Sequence, residues 1–326
     1  MTCAPDEPAL ERSTRPAVTV IIPARNAAAT LASALAGLAA QDFEGLFETL
    51  VVDDHSTDMT REVASNSQHP TTLVCPSEFG AAGARNAGAA TAQAPIIAFI
   101  DADCRPHPDW LRVGVEAMEA ADLLQGAVEP VEPLRGPFDR TLEVREPSVL
   151  FESANLFVRR ELFDRLGGFE QWIGGRHERP FGEDTWFGWR ARRAGARIVF
   201  CERARVTHAV FPGDWTDLVR ERWRLRYFPP LIARIPELRQ ALCGHYFLSP
   251  RTTRVDLAVL ATASCVLGRR SSPIVGVAPY VRYVWSVSRP WGRRRAPFIA
   301  LAHATADTVG LAALALGSVR SGTLVI

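Results

Sequence analysis

Short uninterrupted apolar runs alternate with longer periodic or alanine-rich stretches along the first third of the chain. The runs fall at residues 18–22, 47–52, 72–74 and 95–100; the stretches fall at 27–40, directly after 58, at 80–92 and at 110–121. Runs with no polar alternation predict strands buried on both faces. Their regular exchange with helices predicts an α/β, Rossmann-like, mostly parallel sheet covered on both sides. Past 121 the pattern loosens. Strands are predicted over 124–128, 154–158 and 197–200. One helix is predicted over 161–166, stopped by Gly167-Gly168, and another over 182–195, ended by Gly195. From about Asp214 the chain reads as helical, with apolar stretches at 255–267, 273–287 and 296–319. The pattern divides the chain into a flexible tail at 1–16, an α/β domain at 17–213 and a C-terminal helical segment at 214–326.

In open α/β sheets, ligands bind beyond the carboxyl ends of the strands. Polar clusters occupy those ends here, at residues 23–26, 53–58 and 101–103. Asp101-Ala102-Asp103 follows a predicted strand. In an extended segment, carboxylates at i and i+2 share a face and can converge on one hard divalent cation, the usual partner of a pyrophosphate leaving group. Asp53 and Asp54 close the second strand, where a carboxylate can accept from a base or from ribose hydroxyls. The plain alternative is an Asx-turn capped by Ser56, Thr57 or Asp58. The segment from Gly80 to Gly88 is rich in small residues around one arginine, Arg85, which offers a fork of donors to phosphate or base. It does not match the dinucleotide-binding glycine pattern, so no nicotinamide cofactor is read from it.

Composition narrows the chemistry. The chain contains 37 basic residues, all arginine. The absence of lysine excludes a Walker-type phosphate loop, a pyridoxal Schiff base and a lysine nucleophile. Residues 1–212 carry 21 Arg against 30 acidic residues, a net −9, whereas residues 213–326 carry 16 Arg against 6, a net +10. A basic, apolar segment behind an acidic domain points to anionic lipid or an anionic substrate. No DNA- or RNA-binding motif accompanies the charge, so nucleic acid is not expected as a partner. The six cysteines show no metal-ligand spacing, and the polar N-terminus lacks the apolar core of a signal peptide, so a reduced, cytoplasmic catalytic domain is expected.

Six motifs in order then carry a resemblance. They are Val18-Thr19-Val20-Ile21-Ile22-Pro23-Ala24-Arg25-Asn26, Val51-Val52-Asp53-Asp54-His55-Ser56-Thr57-Asp58, Gly83-Ala84-Arg85-Asn86-Ala87-Gly88, Phe99-Ile100-Asp101-Ala102-Asp103-Cys104, Gly167-Gly168-Phe169 and Gly182-Glu183-Asp184. The series, over roughly residues 17–210, resembles the family 2 glycosyltransferases. The resemblance implies the GT-A fold and inverting transfer of a sugar from a nucleoside-diphosphate sugar. It also implies that Pro23 and Arg25 line the nucleotide pocket, that Asp53 or Asp54 contacts the base or ribose, and that Arg85 serves the base-and-phosphate side. Asp101, which also belongs to the nucleotide site, and Asp103 would hold Mg²⁺ or Mn²⁺. His208, after the strand at 197–200, matches a further metal ligand of some members, although a strand-end histidine also occurs as plain structure.

Inverting displacement needs a base for the acceptor hydroxyl. The resemblance places it in the pair Glu183 and Asp184, with Asp184 as the base. A helix N-terminus alone would depress its pKa, so an effective base there needs partial burial or the charge of Glu183 nearby. Trp172, Trp186 and Trp189 could stack on sugar faces, with core packing expected for at least two. Processive members carry Gln-x-x-Arg-Trp. Here the stretch is Val219-Arg220-Glu221-Arg222-Trp223; without the glutamine, transfer of a single sugar is expected. The competing readings are a sugar nucleotidyltransferase, which would need a phosphate loop with a basic residue near the N-terminus, and a catalytically inactive membrane-associated binding module, which the intact Asp101, Asp103 and Asp184 oppose.

Residues 255–267 are too few to cross a bilayer. The stretch 273–287 is interrupted by Pro279 and Arg282, and 296–319 contains His303 and Asp307. In-plane or hairpin helices are therefore expected, peripheral or monotopic at the cytoplasmic face of the membrane, beside a carbohydrate or lipid-linked acceptor.

Overall fold

A computed structural model describes residues 15–173, 181–267 and 273–326; of the tail expected over 1–16, residues 1–14 lie outside the described residues. The chain forms two compact units. The first contains residues 15–132 and Thr141–Ala209, and the second Pro133–Arg140 and Val210–Ile326.

In the first unit the predicted alternation is realised. Strands β1 (Val18–Ala24), β2 (Phe47–Asp53), β3 (Thr72–Val74), β4 (Ile96–Ile100), β5 (Cys104–Pro106), β6 (Leu123–Pro130), β7 (Asn155–Arg159) and β8 (Ile198–His208) form one sheet in the order β3-β2-β1-β4-β7-β6-β8-β5. The helices are α1 (Leu31–Ala39), α2 (Thr60–Ser65), α3 (Ala81–Thr91), α4 (Trp110–Ala117), α5 (Arg160–Leu166) and α6 (Glu183–Arg193). Strands β1–β4 pair in parallel, as do β6 and β8; β7 runs antiparallel to both β4 and β6, and β5 antiparallel to β8. This is the GT-A arrangement of a Rossmann-like sheet, with a helical segment at the C-terminus.

The reversed strand β7 decides which residues share an edge of the sheet. Its register sets Ile100 opposite Asn155, so the residues before β7 reach the same edge as the residues after β4. Asn155 is fully buried and fixes that edge. Its amide donates to the carbonyls of Ala127 and Ala204, both at 2.8 Å, and its oxygen accepts from Trp110 Nε1 at 2.9 Å. Those bonds staple the register jump of β8 against β6 between Gly126 and Ala127. Satisfied buried amides of this kind are costly to remove, because each lost partner strands a polar atom.

Three sequence expectations are corrected. The strand predicted over 197–200 runs on to His208: Glu202, Arg203 and Arg205 look like a loop, but the strand's second half sits against β6 and β5. Strand β5 has no counterpart in the sequence pattern, since three residues carry no periodic signal. Asp101-Ala102-Asp103 is not extended; Cys104 N–H donates to the Asp101 carbonyl at 3.0 Å, closing a tight turn.

The second unit is built from α7 (Trp215–Trp223), α8 (Phe228–Arg234), α9 (Pro250–Val266), α10 (Pro273–Ser288) and α11 (Ala296–Ser321). Asp214 and Ser249 start α7 and α9 with reciprocal capping boxes. Among the described residues, α11 is the one helix long and apolar enough to cross a membrane by length and composition. It buries a stripe of Ala296, Ile299, Ala302, Ala306, Gly310, Ala313 and Gly317 against its neighbours, with His303 and Asp307 on the same buried side. That spacing is the packed face of a helix inside a bundle.

Candidate active site

Because β1, β2 and β4 are parallel, their carboxyl ends lie together, and Pro23, Asp53-Asp54 and Asp101 follow from them at one edge of the sheet. Reversed β7 brings Glu152 and Ser153 to that edge. The N-terminus of α6, carrying Glu183 and Asp184, is tied there by Thr185 Oγ1 donating to the Leu150 carbonyl (2.8 Å) and Trp189 Nε1 donating to the Val149 carbonyl (3.0 Å).

Arg85 is the hub. It sits in α3, buried, and donates through Nη2 to Asp101 Oδ1 at 2.7 Å and through Nη1 to Glu183 Oε1 at 3.3 Å. Its guanidinium lies 5.7 Å from the centre of the Phe169 ring. The next residue, Asn86, clamps Phe169 itself: Nδ2 donates to the Phe169 carbonyl and Oδ1 accepts its N–H, both at 2.8 Å. A Cβ on Gly168 would stand 2.5 Å from Asn86 Oδ1, and Gly168 has φ +70°, so the loop needs glycine on both counts. Three motifs separated in sequence thus meet on two adjacent side chains.

Asp103 faces His208 across the β5–β8 pairing, with Nε2 3.6 Å from Asp103 Oδ2. The other ring nitrogen, Nδ1, lies 2.6 Å from the Ala209 carbonyl and 3.1 Å from Thr141 Oγ1. Leu142 N–H lies 3.3 Å from the same nitrogen, and these contacts on Nδ1 turn Nε2 toward the Asp103 side, where a neutral ring could offer it to a metal. Burial and the Asp101 charge push the Asp103 carboxyl up, with His208 acting against them. A neighbouring carboxylate that raises Asp103 in this way leaves room for a cation between the two. The ligand atoms of Asp103, Cys104 and His208 lie within 4.8 Å of one another. Cys104 belongs to the apolar core, and burial followed by the Asp101 and Asp103 charges holds its thiol well above the ordinary range. The accessible set is therefore carboxylate and imidazole, donors that could hold a divalent metal ion.

At the end of β2, Asp53 has no exposed side-chain surface. Its carboxylate accepts from Arg61 Nε (2.6 Å) and Ser56 N–H (3.3 Å). Burial works to raise it, but the bonds from Ser56 and Arg61 outweigh burial and hold it below its usual range. Asp54 is also buried; it accepts from Gly80 N–H at 3.0 Å and lies 3.6 Å from Arg25 Nη1, whose side chain is 56% exposed. The segment 53–60 also locks the loop after β1. Ser56 Oγ accepts from Asn26 N–H (3.0 Å), Thr60 Oγ1 from Ala27 N–H (2.8 Å), and Asp58 from Ala28 N–H (3.1 Å). Pro23, at the end of β1, is partly exposed in this region.

Asp184 is pressed among acids. Its Oδ1 accepts from Thr185 N–H (2.7 Å) and its Oδ2 from Ser153 N–H (3.4 Å). Burial first, then the Glu183 charge, push its carboxyl up to about 8, while Arg85 pulls down and Glu152 adds to the rise. These are the two conditions, burial and a neighbouring charge, that a helix-terminal base requires.

Residues 19–170 match the family model described as glycosyl transferase family 2. This region is a family 2 glycosyltransferase domain. The chain is 29% identical over 229 residues to glycosyltransferase AglE of Haloferax volcanii, covering 65% of this chain and 73% of that protein. It is 31% identical over 212 residues to the pre-mycofactocin glycosyltransferase of Mycobacterium tuberculosis, covering 59% of this chain but 42% of that longer protein. In fold it resembles the mannosyltransferase PcManGT of Pyrobaculum calidifontis, solved with GDP-Man and Mn²⁺, at a TM-score of 0.51 and 20% identity over 95% of this chain and 88% of that one.

Within the glycosyltransferase domain, sequence reasoning missed Glu152. Its carboxylate accepts from Gln125 Nε2 (2.8 Å) and Ser148 Oγ (2.9 Å). Nothing local marks it; only the reversal of β7 brings it to the site. Of the tryptophans, Trp189 is buried, and Trp186 donates to Glu170 Oε2 at 2.8 Å under Arg190 and Arg193. Trp172 is partly buried just before residues 174–180, which lie outside the described residues.

Proposed function

We propose that the chain transfers one sugar from a nucleoside-diphosphate sugar to an acceptor hydroxyl, with inversion and with a divalent cation. The observation that carries this reading is the Arg85 bridge, which ties Asp101 to Glu183 and so sets the donor-side carboxylates beside the acid pair of α6. Asp101, Asp103 and His208 would hold Mg²⁺ or Mn²⁺, whose charge would stabilise the departing nucleoside diphosphate. Arg25, whose side chain is 56% exposed, reaches the nucleotide phosphates or base. Asp54 and Pro23 form the wall beside it, and Asp53 holds that wall through Arg61. Arg85 acts by keeping Asp101 and Glu183 in place.

Asp184 accepts the proton of the attacking hydroxyl. With its carboxyl lifted to about 8, it holds a proton firmly enough to draw it from an alcohol in the transition state. Glu183 sustains that lift, and Ser153 and Thr185 orient the carboxylate.

Residues 17–213 carry this chemistry, and 214–326 hold the protein against the cytoplasmic face of a membrane, near a carbohydrate or lipid-linked acceptor. Support comes from the +10 charge and from the exposed Leu257, Leu260, Val266, Ile274 and Val275 on α9 and α10. Proton NMR of the product tests the mechanism. An anomeric coupling opposite in configuration to the donor's is expected, and retention would contradict the single-displacement reading.

A further inference from the structure

The helical unit contains a small cavity lined by Arg222 and Leu225 from the α7 side, by Arg251, Val255 and Asp256 of α9, and by Asp307 and Leu314 of α11, with Leu248 and Leu311 completing its apolar wall. We infer that this cavity binds a phosphate group carried on an aliphatic chain.

Charge is left over here after the local pairs are made. Asp307 is almost fully buried and is satisfied by Arg251, through Nη2 to Oδ2 at 3.0 Å with Nε 2.8 Å from Oδ1, and by Tyr280 OH at 2.9 Å. Arg251 Nη2 also lies 3.0 Å from His303 Nδ1. Burial and the two arginines push His303 down to about 4, so it is neutral and adds no further positive charge. Arg222 is the surplus cation. Its Nε is buried, forms no hydrogen bond among the described residues and stands 3.7 Å from Asp307 Oδ1. Two guanidinium groups thus face one committed carboxylate.

A third group points the same way. Asp256 is 7% exposed, and its Oδ2 has no hydrogen-bond partner among the described residues. Burial pushes its carboxyl up to about 6, and beside a bound anion it would carry the proton and donate it. An oxyanion between Arg222 and Asp256 would satisfy both orphaned atoms. The cavity measures about 40 Å³, where a single water needs roughly 10–15 Å³, so it has room on the scale of a phosphate head. Leucines and a valine around an arginine pair would in turn accept an aliphatic tail. A cavity serving only to pack helices would not set a buried carboxyl oxygen without a partner beside two guanidinium groups that share one acid.

The test is calorimetric titration of the full chain with dodecyl phosphate below micelle formation, against dodecyl maltoside and inorganic phosphate. Dodecyl phosphate should bind saturably, the neutral maltoside should not, and inorganic phosphate should bind at least tenfold more weakly. Arg222→Gln should raise Kd at least tenfold. Leu311→Trp keeps both arginines but fills the apolar wall, and should do the same. Circular dichroism melts show which variants are folded, and either folded variant suffices. Vesicles of phosphatidylglycerol and of phosphatidylcholine separate the sources. A tenfold loss with Arg222→Gln on the anionic vesicles identifies a membrane phospholipid, whereas loss confined to dodecyl phosphate identifies a single-chain phosphate ester. Absence of dodecyl phosphate binding, equal binding of inorganic phosphate, or binding untouched by the folded variants would overturn the assignment.

Discussion

Arg85 and Asp101 meet at 2.7 Å, a guanidinium that is almost wholly buried against a carboxylate that is one-third exposed. Desolvation of that arginine is offset by Asp101, Glu183 and Asp184, which together hold it charged. A buried cation shared by three acids is structural and electrostatic at once: it fixes where Asp101 points and limits how far the acids repel one another.

Arg85→Gln should therefore cost both stability and activity. Removing one partner from a buried ionic group leaves the others uncompensated, on the order of 3–5 kcal/mol. Urea unfolding should show that loss, and residual transfer in the folded fraction should fall at least ~100-fold, or ~2.7 kcal/mol in transition-state stabilisation. Unchanged transfer would show that Arg85 does not organise the site.

Substitution of Asp184 should move stability and turnover in opposite directions. Its raised carboxyl means that the folded chain binds a proton that the unfolded chain has released between the ordinary value of 3.8 and about 8. In that window stability falls as pH rises. Asp184→Asn removes the burdened charge, so at pH 8 it should stabilise the fold by ~1 kcal/mol or more, visible as a higher Tm. The same substitution should cut turnover sharply while leaving nucleotide affinity nearly unchanged. In the wild type, kcat/KM should climb with pH and level off above about 8, as the base loses its proton. A flat profile, or equal loss of nucleotide affinity in the variant, would show that the role is misassigned.

His208→Ala should weaken Mn²⁺ binding at least ~10-fold, no less than the loss of a second-shell partner does, with little change in melting. Titration with Mn²⁺, read through the metal's paramagnetic effect on water relaxation, measures it directly. An unchanged affinity would leave His208 as a structural strand-end residue.

Much of this site is legible before the fold, and what is hidden shares one cause. Strands β1–β4 and the acids after them are readable because each is a local pattern, an apolar run and its polar end. The partnership of Asp103 with His208 is visible only as a resemblance, because it depends on β5, three residues long, pairing with the charged half of β8. Glu152 is hidden for the same reason, since its position depends on β7 running against β4. Arg85 is legible as a functional arginine, but its direction is not: it turns inward to two carboxylates instead of offering its donors at the surface.

The helical segment should carry membrane affinity. Salt should release the full chain only partly from membranes and detergent fully, because both arginine attraction and apolar burial contribute. Truncation near Asp214 should leave a more soluble domain. Recovery of the intact chain in the soluble pool at low salt without detergent would refute the membrane assignment.

Metal-assisted transfer at the Asp101, Asp103 and His208 cluster is probed most directly by nucleoside-diphosphate release from a panel of nucleotide-sugars. The wild type should release nucleoside diphosphate from one donor or a few, only with Mn²⁺ or Mg²⁺, and lose that release in excess chelator. Asp101→Asn and Asp103→Asn should each reduce it nearly to background. Full release in chelator, or from either folded variant, would rule out a metal-assisted reaction at this cluster.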